Sequence, residues 1–256
     1  MPMLNLAYEE FGSPNCPPVI ILHGFFASAR NWRSIAKLLS EQYHVFVLDQ
    51  RNHGASPHAL HIDYPSMAQD VQQFIQAQQL ESVHIIGHSM GGKVAMWLAL
   101  QHPELLGKVI IVDIAPVTYQ HSFDTMIDAL CSLPLEELAN RKQADDFLSE
   151  RIPDSSFRQF LLQNLVLENG NYRWRIDLNI FKQAAPGIIA FPETGQLSPC
   201  VKALKVLAGG NSQFVQPDSF AAIFPHADIE FLPGAGHWLH VEVPELFLQQ
   251  VRSYLG

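Results

Sequence analysis

Ile85-Ile86-Gly87-His88-Ser89-Met90-Gly91-Gly92-Lys93 joins an aliphatic run to a helical pattern through a G-x-S-x-G step. A strand, a sharp turn and a helix in that order leave Ser89 at the apex with its hydroxyl presented outward. Gly87 and Gly91 flank it where the backbone is crowded and a larger side chain would clash with strand or helix. The helix opening after Ser89 has free N–H groups and a positive dipole end, which favour developing negative charge. A hydroxyl beside an anion-stabilising site is the arrangement for nucleophilic attack on an acyl carbonyl. The bland alternative is a glycine-rich turn before an ordinary helix, and the apolar run and helical pattern on either side argue against it.

A serine hydroxyl needs a base to take its proton. In strand–turn–helix sites of this kind the base comes late, in the order Ser, acid, His. His237 meets that requirement, on Gly234-Ala235-Gly236-His237-Trp238 after the last predicted strand. His240 is the nearest competitor, but it falls where regular structure resumes. The oxyanion calls for two backbone donors, and the N–H groups of Met90 and Phe25 are the candidates. The side chains of Phe25 and Phe26 are then free to line an acyl pocket, with core packing as the alternative for Phe26. Phe26, His88 and Trp238 form the expected substrate-binding set. His23 is expected to brace its loop, and His88 to neighbour the pocket without serving as a second base. The acid is less evident: the loop after Val206–Gly210 reads Asn211-Ser212-Gln213-Phe214, with no carboxylate before Asp218. Asp113, ending the preceding strand, can reach the same edge. On residues alone both stay open.

These residues need a frame. Val19–Leu22, His44–Leu48, Val83–Ile86, Lys108–Val112, Val206–Gly210 and Ile229–Leu232 are short apolar runs of the kind buried on both faces of a parallel sheet. Met3–Phe11 is a weaker strand pattern. Between the runs lie helical patterns: one after Ser28 as cap with Trp32, Ile35, Ala36 and Leu39 on one face, then Tyr64–Leu80, one near Phe220–Phe224, and Pro244–Leu255. Such alternation predicts a doubly wound, mostly parallel sheet with right-handed crossovers. The rhythm breaks after Asp113. Phe123–Leu133, Leu135–Leu148, Ser155–Leu167 and Asn179–Ala185 read as helices, with a turn at Asn169-Gly170-Asn171. The reading is a core of residues 1–117 and 200–256 with a helical cap, 118–199, inserted over the strand C-termini where such sheets bind ligands.

Composition narrows the class. Hydrophobic residues make up 48% and charged residues 16%, so the chain is globular and apolar inside. A net charge of −9 without a basic cluster argues against nucleic acid or an anionic membrane as partner. No run approaches the length of a membrane span, and no secretory signal is visible at the N-terminus. Cys16, Cys131 and Cys200 are scattered and fit a reducing compartment, with the cytoplasm as expected location. The histidines fall in no metal-binding spacing.

LHGFFAS, DQRNHGASPH, IGHSMGGKVAM, VDIAPV, AGGNSQFV and GAGHWLHVE, in that order, resemble the α/β-hydrolase superfamily, and within it the bacterial YbfF-type esterases. The resemblance covers nearly the whole core; over the insertion it extends only to position and helical character. It implies an α/β-hydrolase fold and a serine hydrolase cleaving carboxylic esters or acyl thioesters through an acyl-enzyme. Ser89 is the implied nucleophile and His237 the base. The resemblance supports Asp113 as a shifted acid, with Ser212 at the usual acid position as a supporting hydroxyl. It implies no metal or cofactor, a small-molecule acyl substrate, and leaves the oligomeric state open. A cofactor-free C–C bond hydrolase or a menaquinone-pathway-type lyase would use the same residues; the lyase needs a basic residue near the pocket for a succinyl carboxylate, and Lys93 is one candidate, though its place after the elbow can turn it away. A dehalogenase would carry Asp at position 89. A non-catalytic binding protein of this fold would usually lack one of the three residues, and none is missing.

Overall fold

The computed structural model describes residues 4–195 and 197–256. Seven strands form one sheet: β1 Tyr8–Phe11, β2 Pro18–Leu22, β3 His44–Leu48, β4 Val83–His88, β5 Leu106–Val112, and, after the insertion, two more. Helices α1 Arg33–Leu39, α2 Tyr64–Ala77 and α3 Met90–Gln101 connect the early strands. The insertion holds α4 Asp124–Cys131, α5 Arg141–Leu148, α6 Ser155–Leu162, the hairpin β6 Leu165–Glu168 and β7 Asn171–Trp174, and α7 Leu178–Ile189. The chain then returns to the sheet through β8 Leu204–Gly209 and β9 Ala227–Leu232, and ends in α8 Leu239–Glu242 and α9 Pro244–Leu255.

The strand order is β1-β3-β2-β4-β5-β8-β9, with every pairing parallel except the antiparallel edge strand β1. The apolar runs divide strictly between its faces. Val19, Ile21, Val45, Val47, Ile110 and Val112 pack under α1 and α9. Ile20, Leu22, Phe46, Leu48, Val109 and Ile111 pack against α2 and α3 on the other face. That is why these strands read as unbroken hydrophobic runs: both faces of each are covered.

Several boundaries depart from the sequence reading. Strand β1 spans only Tyr8–Phe11 of the expected Met3–Phe11, and Met3 lies outside the described residues. Ser28 is the N-cap of the first helical turn, as expected, in a capping box with Asn31, whose Oδ1 accepts from the Ser28 N–H at 2.9 Å. The expected Leu135–Leu148 helix is a short 3-10 turn at Leu135–Glu137 followed by α5, because Asn140 caps a new start by accepting from the Gln143 N–H. The expected Ser155–Leu167 helix stops at Leu162, and the following β-branched and aliphatic residues pair across the Asn169-Gly170 turn as a hairpin. No helix forms at Phe220–Phe224; a 3-10 turn at Pro217–Ser219 leads into turns that bury both phenylalanines.

Between β3 and α2, the Asp49–Ser56 segment is architecture. The Asp49 carboxylate accepts from the N–H groups of Ala29 and Ala55, 2.7 and 2.8 Å away. Arg51 is buried and clasps buried Asp70 through two bonds of 2.7 and 2.8 Å, fixing this loop to α2. A Cβ at Gly54 (φ +55°) would sit 2.1 Å from the Asp49 carboxylate, so only glycine closes this turn. No described helix is long and apolar enough to cross a membrane.

Candidate active site

Phe25 follows β2, Ser89 follows β4, Asp113 follows β5 and His237 follows β9. Those strands are parallel, so all four residues stand at the same edge of the sheet.

Ser89 has φ +52° and ψ −119°, a conformation that non-glycine residues rarely adopt, and it opens α3. The elbow is tight on both sides. A Cβ at Gly87 would lie 2.4 Å from the Gly91 carbonyl oxygen, and one at Gly91 would lie 2.3 Å from that of Leu22. The Met90 N–H, at the first position of α3, has no helical partner. The Phe25 N–H makes no backbone hydrogen bond among the described residues. Phe26 also has a positive φ, +64°, and its carbonyl accepts from the Asn164 side chain at 2.8 Å. Asn164 is a buried residue of the insertion, between α6 and β6, with no sequence motif around it.

Asp113 is fully buried and, like Ser89, strained, at φ +47°. Its Oδ1 accepts from the Gly209 N–H at 2.8 Å. Its Oδ2 accepts twice: from His237 Nδ1 at 2.7 Å and from the Ser212 hydroxyl at 2.6 Å. The proton on Nδ1 leaves His237 Nε2 as the nitrogen free to accept. The His237 ring packs on Phe214 with centroids 4.3 Å apart. Asp218 is exposed in its 3-10 turn and is not brought to His237.

His88 is buried, and burial holds its pKa well below the usual imidazole value. Its Nε2–H donates to the His237 carbonyl at 2.9 Å, so that nitrogen is not a free base. His23 donates from Nδ1 to the Gly24 carbonyl and accepts on Nε2 from the Gln50 N–H, so it ties the β2 and β3 loops together. His240 stacks on Trp32 with centroids 4.0 Å apart, and burial pushes its pKa down to about 3.

Lys93 faces away from these groups. Fully buried in α3, its ammonium donates to the carbonyls of Val117, Ile189 and Ala190 at 2.9, 2.7 and 2.7 Å. Those carbonyls lie where the chain leaves for α4 and where α7 ends. Held by these three carbonyls, the Lys93 amino group is turned away from any substrate carboxylate. It is a tie between α3 and the insertion, turned away from the pocket as its place after the elbow allowed.

A cavity of about 650 Å³ opens above Ser89. Ser89, Met90, His237, Phe25, Phe26, His88 and Trp238 all border it. The insertion supplies the opposite wall, including Phe123, Met126, Phe157, Phe160 and Ile188. No Asp, Glu, Lys or Arg is among its described lining residues. Phe25 stacks on Phe181 of α7 at 4.7 Å, nearly parallel, so the loop after β2 and the insertion share one aromatic cluster.

Residues 17–244 match the family described as the alpha/beta hydrolase fold, and the chain belongs to that family. It is 37% identical to the sn-1-specific diacylglycerol lipase ABHD11 of Xenopus laevis over 99% of this chain and 84% of that protein. It is 32% identical to Esterase YbfF of Escherichia coli (strain K12) over 94% of each chain. The solved structure of a marine microorganism esterase superposes with a TM-score of 0.93 at 38% identity, covering 98% of this chain and 99% of that one. The resemblance read from the motifs therefore holds at the level of fold and family.

Proposed function

We propose that this α/β hydrolase cleaves esters of apolar acyl groups through an acyl-enzyme on Ser89. The carrying observation is the hydrogen-bonded run Ser212–Asp113–His237, which ends at the edge of an uncharged, aromatic-lined cavity that also contains Ser89. His237 Nε2 takes the Ser89 proton as Oγ attacks the acyl carbonyl. The N–H groups of Phe25 and Met90 hold the oxyanion, a donor pair of the kind whose single loss costs ~10²–10³ in rate. The tetrahedral intermediate collapses, the alcohol leaves with the proton from His237, and water repeats the sequence to release the acid. Asp113 holds the imidazole in the Nδ1–H tautomer and stabilises its charged form.

Relatives named as esterases and a lipase support ester hydrolysis over the other chemistries. A thioester of the same acyl group suits the same mechanism. Residues 118–199 serve as the cap, and its aromatic wall sets the preference for apolar acyl chains. The lyase-type alternative loses its cation, since Lys93 is occupied elsewhere. Three free cysteines support a reducing compartment such as the cytoplasm.

The test is turnover of ester and acyl-thioester series of increasing chain length by wild type and Ser89→Ala. Activity that rises with chain length and vanishes in Ser89→Ala supports the proposal. An active Ser89→Ala variant, or a burst with an activated ester in that variant, removes Ser89 as nucleophile.

A further inference from the structure

A general base must be held to within about 0.5 Å and 10–20° of its working geometry. The loop that carries His237 is anchored upstream at Ala235, which is fully buried and whose carbonyl accepts from the Asn211 N–H at 2.9 Å, while Gly234 (φ +78°) stands in open space. The side chain of Glu242, the last residue of α8, adds a constraint at the residues next to His237. Its Oε2 accepts from the Gly236 N–H at 2.6 Å and its Oε1 from the Trp238 N–H at 3.0 Å. One carboxylate thus grips both peptide N–H groups flanking His237. The Glu242 N–H donates to the Trp238 carbonyl at 2.9 Å, which closes the ring. From the opposite side His88 Nε2–H holds the carbonyl of His237 itself at 2.9 Å.

We propose that Glu242 is a positioning residue for His237: acting through the backbone on either side of the base, it sets the direction in which Nε2 faces Ser89. The inference rests on the reading of His237 as base. Folding alone does not require this carboxylate. Glu242 is exposed, and Gly236 and Trp238 are only half-buried, so water can satisfy the two N–H groups in its absence. What water cannot do is fix their direction. Two charge-assisted bonds from one rigid carboxylate can.

The experiment compares Glu242→Ala, Glu242→Gln and, as a control for removing an exposed acidic charge nearby, Glu245→Gln. Active sites are titrated to completion with a phosphonate that labels Ser89, so that kcat is expressed per competent site. Glu242→Ala loses both acceptors, and kcat should fall about 100-fold, the scale of a 1 Å misplacement. Glu242→Gln keeps one acceptor, and kcat should fall about 10-fold. KM should stay within about two-fold in both, with Glu245→Gln at wild-type values. Unchanged kcat per competent site, or a loss confined to KM, overturns the proposal. Full turnover by His237→Ala would instead remove the reading on which it rests.

Discussion

The Ser212 hydroxyl lies 2.6 Å from Asp113 Oδ2, the same oxygen that receives the His237 Nδ1 proton. Ser212 occupies the loop after β8, where hydrolases of this fold commonly carry the acid itself. On the proposed mechanism the acid comes from the end of β5, one strand closer to Ser89, and the position after β8 contributes a hydroxyl to it. The Asp113 backbone strain, φ +47°, accompanies that placement.

On the proposed mechanism, Asp113→Asn preserves size but presents the wrong partner to Nδ1. By analogy with the serine-protease triad, kcat should drop roughly 10⁴-fold. Ser212→Ala removes a hydrogen bond of ~1 kcal/mol and should cost less than ten-fold. Asp218→Asn should match wild type. The measurement is kcat on one activated ester for the three variants, with thermal melts as a folding control. A crippled Asp218→Asn beside a healthy Asp113→Asn would reassign the acid.

Asn164 reaches from the insertion to the Phe26 carbonyl, beside the proposed oxyanion donor Phe25. Asn164→Ala leaves that buried carbonyl unpaired, at a cost of about 1–3 kcal/mol in stability. It should also lower kcat about ten-fold by loosening the loop. Urea unfolding and kcat check the two effects separately. Lost stability with wild-type kcat would mean that the loop keeps its shape unaided.

Burial lowers the Lys93 pKa in the fold from an ordinary 10.5 to about 7. Between those values the unfolded chain retains a proton that the folded chain has released. Unfolding free energy from this residue therefore rises with pH across that window, by up to about 1.4 kcal/mol per unit. Lys93→Met lacks this titration. The stability difference, wild type minus variant, should grow between pH 7 and pH 9 in denaturant titrations. A constant difference would show that the three carbonyls keep the ammonium charged throughout.

The cavity lining lacks any described Lys or Arg, so an acyl chain ending in a carboxylate would have to bury an unpaired charge. Against a neutral chain of equal length, its kcat/KM should fall by at least about 10²-fold. Paired ester substrates measure this. Equal rates would require a cation at the site and would revive the lyase-type alternative.

The sequence by itself determined the sheet, the elbow and the identity of the candidate serine and histidine. Those signals are local. Val19–Leu22 is apolar at every position because each successive side chain enters a different one of two covered faces. Gly87 and Gly91 are glycine because backbone oxygens stand within 2.4 Å of any Cβ there. Local reading failed where caps and turns compete, at Asn140 and in the hairpin that ends the expected Ser155–Leu167 helix. It left Asp113 and Asp218 open, since either could follow a strand of this sheet, and only the parallel register of β5 against β8 puts one carboxylate within reach of His237 and Ser212. Asn164 lies in no motif, and the motifs that contain Lys93 and Glu242 say nothing of what their side chains touch. Lys93 and Asn164 act on backbone carbonyls that neither composition nor spacing encodes, up to 138 residues away in the chain. Side-chain bonds to a distant main chain depend on where the fold brings that main chain, and only the tertiary structure decides that.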